Sequence, residues 1–119
     1  MKIRYNVYGQ RHFNMKHPIR TPEDLGLIIR AVRKSTAVRQ DDLAGAAHVS
    51  RQFAVNVEKG KPTVQIGLVF KLLEELGIGL HADIPEAASQ ALSVLKVRRD
   101  SKRRANGPAR ARRLPPVGP

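Results

Sequence analysis

Residues 50–58 read Ser-Arg-Gln-Phe-Ala-Val-Asn-Val-Glu, and the fold of the whole chain turns on this stretch. Ser50 is a favoured N-cap residue because its hydroxyl can accept from a free amide of the first helical turn. Gly60 suits the left-handed turn that closes a helix. The span between them predicts a helix of about two and a half turns. Phe53, Ala54 and Val57 recur at helical spacing and predict a core-facing side, which leaves Arg51, Gln52, Val55 and Asn56 pointing outward. Arg can bridge two acceptors on a guanine edge, and Gln or Asn can donate to and accept from adenine. An outward face of these types near a helix N-terminus has the chemistry to read a major groove. A solvated polar face is the plainer reading of the same residues.

Upstream, Thr21-Pro22-Glu23-Asp24 is a helix start: Thr as N-cap, Pro at the first helical position, and two carboxylates facing the positive end of the dipole. That helix should run to about Ser35, with Leu25, Ile28, Ile29 and Val32 as its apolar stripe and Arg30, Arg33 and Lys34 elsewhere on the circumference. After Thr36-Ala37-Val38, a second helix is predicted from about Arg39 to Ala46, with Leu43 and Ala44 inward. The small residue at 44 lets the next helix cross closely, as near-perpendicular packing requires. Ala47-His48-Val49 is then the turn, and His48 is the residue expected at positive φ, tolerated there at some strain. No metal or catalytic partner lies near His48, and His12 and His17 have no ligand spacing.

These elements resemble the phage-repressor (XRE/Cro) helix-turn-helix family over residues 22–84. The run from Val49-Ser50-Arg51-Gln52-Phe53 through Glu58-Lys59-Gly60-Lys61-Pro62-Thr63-Val64-Gln65-Ile66-Gly67 resembles its HipB-like antitoxin branch. The resemblance implies an all-α, five-helix domain of the lambda-repressor type with a short C-terminal strand for dimer pairing. It implies base contacts from Arg51, Gln52 and Asn56. Gln40 is implied to hold the DNA backbone, where Arg39, Ser50, Lys59 and Lys61 are also placed to reach it, and Arg33 is implied to pair with Glu58 beneath the recognition helix. Three positions depart from the pattern: Arg39 stands for a small hydroxyl residue, His48 for the turn Gly, and Ala54 for a larger aliphatic residue. Gly60-Lys61 does not make a phosphate loop, because Pro62 replaces the needed Ser or Thr and position 55 is Val.

Downstream, Thr63 is expected to cap a fourth helix to about Leu76, with Ile66, Val69, Phe70, Leu73 and Leu76 on the core stripe. Leu68 and Leu72 fall off it and suggest a dimer surface. Past Gly77, Ile78, Leu80, Ala82 and Ile84 alternate with polar or small residues in a period-two strand pattern. A lone strand needs a partner. The resemblance implies the same strand of a second subunit; residues 17–20 of the same chain are the alternative. Beyond Pro85, residues 85–95 read as a short helix carrying Ala87, Ala91, Leu92 and Leu95, and residues 96–119 as a disordered basic tail with too little apolar content to offset ordering entropy. Attraction to DNA phosphate is the functional reading of the tail, and a solubilising end the bland one.

The first 20 residues read as an N-terminal arm, with Ile3, Tyr5 and Val7 alternating in a short strand that nothing nearby obviously pairs. Met15 is a second candidate start, and residues 1–14 then lie either upstream of it or in a loose arm. Residues 21–84 form the expected DNA-binding and dimerisation domain.

At 119 residues the chain has room for one helical core and not for a sizeable enzyme cleft. It has no Cys, which removes disulfides and thiolate metal sites, and neither a membrane-length apolar run nor a signal-peptide stretch. A cytoplasmic protein without enzyme activity, metal or cofactor is the expectation. The net charge of +12 is unevenly spread: residues 1–20 carry +5, residues 96–119 carry +8, and residues 21–95 carry −1. Bulk charge therefore says little about the core. Its cations Arg30, Arg33, Lys34, Arg39, Arg51, Lys59 and Lys61 cluster before and around the recognition helix, and the acids Glu74, Glu75, Asp83 and Glu86 follow it, which predicts one basic face.

The function expected is a sequence-specific, homodimeric repressor that binds operator DNA and acts as the antitoxin of a HipA-type serine/threonine kinase. A free-standing XRE-family regulator without a toxin is the alternative. RNA binding is disfavoured, since Tyr5, Tyr8, Phe13, Phe53 and Phe70 make no stacking platform.

Overall fold

A computed structural model describes residues 3–5 and 11–106. It divides into one unit over residues 1–79 and another over residues 80–119. In the first, β1 (Ile3–Tyr5) pairs antiparallel with β2 (Arg11–Phe13), Ile3 opposite Phe13 and Tyr5 opposite Arg11. The partner that the sequence reading lacked is thus a few residues further along the chain, hidden because Arg-His-Phe carries no alternation of its own. Val7 and Tyr8 lie outside the described residues.

Four helices follow: α1 (Pro22–Ser35), α2 (Gln40–Ala47), α3 (Arg51–Glu58) and α4 (Ile66–Leu76). Two of them, α1 and α3, are started by a capping side chain. Thr21 and Asp24 form a reciprocal capping box on α1, with the Thr21 hydroxyl accepting from the Asp24 amide at 3.1 Å and the Asp24 carboxylate accepting from the Thr21 amide at 3.2 Å. Ser50 caps α3 by accepting from the Phe53 amide at 3.0 Å. His48 takes the left-handed conformation (φ 57°, ψ 43°) between α2 and α3, as the turn demands, and Gly60 takes φ +82° after α3. Ala37 is a second non-glycine residue at positive φ, in the link between α1 and α2.

The core gathers one face from each helix: Ile29 from α1, Leu43, Ala44 and Ala47 from α2, Ala54 and Val57 from α3, and Val69, Leu72 and Leu73 from α4. Leu25, Val38, Val49, Phe53, Val64, Leu76 and Ile78 pack around it half-buried. Gly26 is where α1 passes closest to α3. A methyl group there would lie 2.5 Å from the Glu58 carbonyl oxygen, so only glycine permits the approach.

Three expectations are corrected in α4 and beyond. The helix starts at Ile66 rather than Thr63, with Gln65 at the N-cap, because the chain first turns Val64 against the core. Its inward face is also rotated: Leu72 is fully enclosed and Leu68 half-buried, whereas Ile66 and Phe70 are exposed. Apolar residues cover roughly 200° of this helix, so its spacing alone leaves the choice of buried arc open, and the core takes the Val69-Leu72-Leu73-Leu76 side. Ile78, Leu80, Ala82 and Ile84 take no regular secondary structure, and no ladder joins them to residues 17–20. A strand exists only with a hydrogen-bonding neighbour, and none is found among the described residues.

In the second unit, α5 spans Glu86–Asn106. The helix expected to end near Leu95 continues through eleven residues assigned to a disordered tail. Low apolar content argued for disorder, but Ala, Lys and Arg favour helix intrinsically, and no Gly or Pro interrupts the run before Gly107-Pro108. Glu86 in the first turn and Arg103 and Arg104 in the last complement the helix dipole. No residue of α5 is buried. Among the described residues, no helix is long and apolar enough to cross a membrane.

Candidate nucleic-acid interface

The short α3 has two sides with opposite jobs. Ala54, Val57 and Glu58 face inward. Glu58 is the single buried charged residue among those described, and it is fully engaged. Arg33 of α1 meets it through Nε to Oε2 at 2.7 Å and Nη2 to Oε1 at 3.0 Å, a two-pronged pair whose side chains are 11% and 4% exposed. Arg33 also donates from Nη1 to the Val38 carbonyl at 3.0 Å, and Gln40 Nε2 donates to Glu58 Oε1 at 3.1 Å. The Glu58 carboxylate thus ties the end of α3 to α1 and to the first residue of α2, while Arg33 in turn holds the link before α2. The hydrogen bonds with Glu58 raise the Arg33 pKa above its ordinary value, and burial opposes them without cancelling them. Arg33 is therefore spent inside and is no part of an exposed basic face.

The outward side of α3 carries Arg51 and Gln52, both exposed, with Val55 and Asn56 half-buried. Gln52 Nε2 donates to Asn56 Oδ1 at 3.0 Å, one turn apart, so the two amides are oriented as a pair. Arg51 is anchored differently: its Nε lies 2.9 Å from Asp41 Oδ1, while the other oxygen of Asp41 lies 3.6 Å from Arg39 Nη2. Arg51, Gln52 and Asn56 therefore share one surface. Arg39, Gln40 and Ser50 stand at the starts of α2 and α3, and Lys59 and Lys61 follow the end of α3. Arg39, Ser50, Lys59 and Lys61 are exposed; Gln40 is half-buried by its bond to Glu58. Ser50 and the pair Lys59 and Lys61 are thus separated by the length of α3, about 12 Å at 1.5 Å per residue, while the Gln40 side chain reaches the end of α3 at Glu58.

Sequence reasoning missed Asp41 and Gly26. The signal for Asp41 was its place in the first turn of α2, which near-perpendicular packing brings beside the first turn of α3. Gly26 gave none, because a helical glycine in an apolar stripe looks the same whether or not a backbone lies against it.

No protein-family model matches the sequence. A relative from Sinorhizobium fredii, the uncharacterised HTH-type transcriptional regulator y4mF, is 48% identical over 71 residues, which cover 60% of this chain and 93% of the relative. Among solved structures, HipB in the HipA-HipB-O2-O3 complex superimposes with a TM-score of 0.55 at 20% identity, over 60% of this chain and all of the HipB chain. HipB in the HipB-O4 20mer complex gives the same values. The likeness to HipB is one of fold, and the likeness to y4mF is one of sequence along nearly its whole length. The chain thus belongs to the helix-turn-helix transcriptional regulators, and it shares its fold with HipB.

Proposed function

We propose that the protein is a sequence-specific transcriptional repressor that binds operator DNA as a homodimer and serves as the antitoxin of a HipA-type serine/threonine kinase. The observation that carries DNA reading is the pairing of an exposed Arg51-Gln52-Asn56 face with a locked seat beneath it, where Arg33, Glu58 and Gln40 hold α3 at a fixed angle. In this reading Arg51, Gln52 and Asn56 meet base edges, and Arg39, Gln40, Ser50, Lys59 and Lys61 meet the sugar-phosphate backbone on either side. A helix about 12 Å long matches a major groove about 12 Å wide. Dimerisation would use Ile78, Leu80, Ala82 and Ile84, whose alternation lacks a partner in one chain, and pairing them with the same strand of a second copy supplies the missing ladder. Exposed Ile66 and Phe70 offer apolar area to the same end.

Binding of the full-length chain to the DNA upstream of its own reading frame, against a shuffled duplex, tests the repressor reading. Equal affinity for the two would defeat it. The antitoxin role rests on the HipB-like residue pattern and on the solved assembly of HipB with HipA. Co-expression with a HipA-type reading frame beside the gene should relieve growth arrest. The free-standing regulator is the second reading, and the greater sequence likeness to y4mF, an HTH-type transcriptional regulator, supports it. It stands if no such frame adjoins the gene or co-expression brings no relief.

A further inference from the structure

Arg51 and Asp41 sit ten positions apart on different helices, yet they meet because the first turn of α2 lies beside the first turn of α3. The carboxylate of Asp41 is shared. Oδ1 lies 2.9 Å from Arg51 Nε, and Oδ2 lies 3.6 Å from Arg39 Nη2. The two terminal nitrogens of Arg51 make no hydrogen bond to a described residue, and the side chain stays 71% exposed. Those terminal N–H groups are the ones a guanidinium can present end-on to two acceptors of a base.

We propose that Asp41 is a positioning residue that holds Arg51 for base reading and so sharpens sequence preference. The proposal rests on the reading of Arg51 as a base contact. An arginine free to sample its rotamers gives up that freedom on binding the correct base. One already held from its Nε side has less to lose, and it is less able to swing onto a phosphate of any sequence. The acid carries a second consequence. A half-exposed carboxylate near the surface that meets DNA repels every phosphate it approaches, whatever the sequence. Asp41 thus lowers affinity for random DNA and raises discrimination, two effects of opposite sign that a residue with only a structural role would not produce together.

The test uses the full-length chain, the duplex it selects from a randomised pool, and a shuffled duplex of the same composition. Asp41→Asn removes the charge with little change of shape. It should leave binding to the shuffled duplex unchanged or tighter and cut the ratio of selected to shuffled affinity by roughly three- to tenfold, a part of what a two-pronged base contact is worth. Asp41→Glu keeps the charge and should retain more of the ratio. Asp42→Asn removes a neighbouring acid that no ion pair engages among the described residues, and it should tighten binding to both duplexes without altering the ratio. If Asp41→Asn behaves as Asp42→Asn does, the positioning role is wrong. Arg51→Ala separates the two failures: a ratio unchanged by that variant overturns the base contact itself, whereas a ratio that falls for Arg51→Ala and holds for Asp41→Asn overturns the positioning alone.

Discussion

Helices α1 to α4 and helix α5 are equally regular, yet the first four all bury a face and α5 buries no residue. The contrast separates two ways of making a helix. In the first unit, modest local signals are enforced by packing: α2 and α3 have only eight residues each, too few to persist alone in water, and they hold because Leu43, Ala44, Ala54 and Val57 close the core. In α5 no residue is buried, and the propensities of Ala, Lys and Arg and the favourable charges at its ends support the helix. Damage to the packed helices should therefore be cooperative and severe, and damage to α5 should stay local.

Glu58→Ala should give the largest effect. It strands Arg33 in a site where that side chain is 11% exposed and removes the acceptor of Gln40, so a loss of about 3 to 5 kcal/mol is expected, a large part of the stability of a domain this size. Glu75→Ala, at an exposed position of α4, should stay within about 0.5 kcal/mol. Thermal melting of the two variants checks the pair, and coincident curves would show that the seat beneath α3 does not hold the fold. Gly26→Ala comes next. Its methyl group meets the backbone carbonyls of Val57 and Glu58 at 2.6 and 2.5 Å, and backbone cannot step aside as a flexible side chain can. A cost of about 1 to 3 kcal/mol by denaturant titration is expected from such overpacking. A smaller loss would mean that α1 and α3 slide apart freely.

How much the sequence disclosed follows the same division. Caps and turns were legible because each is decided by a few adjacent residues: Thr21, Ser50, His48 and Gly60 all do what their types predict. The phase of α4 was not, since its apolar arc is wide enough to serve two orientations and only the shape of the remaining core chooses between them. The length of α5 was misjudged by treating burial as the sole source of order. For the interface, residue types marked the outward polar side of α3, but Gln40 engaging Glu58 and Asp41 engaging Arg51 depend on how the helices meet in space. The reading face itself predicts an effect on binding rather than on folding. Arg51→Ala or Gln52→Ala should weaken the selected duplex by about 1 to 3 kcal/mol, leave random DNA nearly unchanged, and leave the melting temperature alone, since both side chains are exposed. Equal losses on both duplexes would turn this face into a mere phosphate contact.

The smallest expected effect on stability is the most informative about α5. Truncation after Leu95 removes nine cations and one acid, with the second half of the helix. Because residues 96–106 are all exposed, the melting temperature of the first unit should not move. DNA binding should change in a different way. Each cation near a polyanion displaces condensed counterions wherever it lands, so the truncated protein should show a flatter dependence of affinity on salt and lose affinity for selected and random duplexes by a similar factor. Residues 1–95 sum to +4 against +12 for the whole chain, so most of the bulk attraction leaves with the cations, and the loss of overall affinity should be large while the choice of sequence stays with α3. A helix nonetheless presents cations at a fixed spacing, and Lys96, Arg99 and Arg103 recur at three- and four-residue intervals along one side of α5. If truncation removed the preference for the selected duplex and left the salt slope intact, that ordered row would be reading DNA rather than merely attracting it, and the contrast between the packed reader and the unpacked helix would fail.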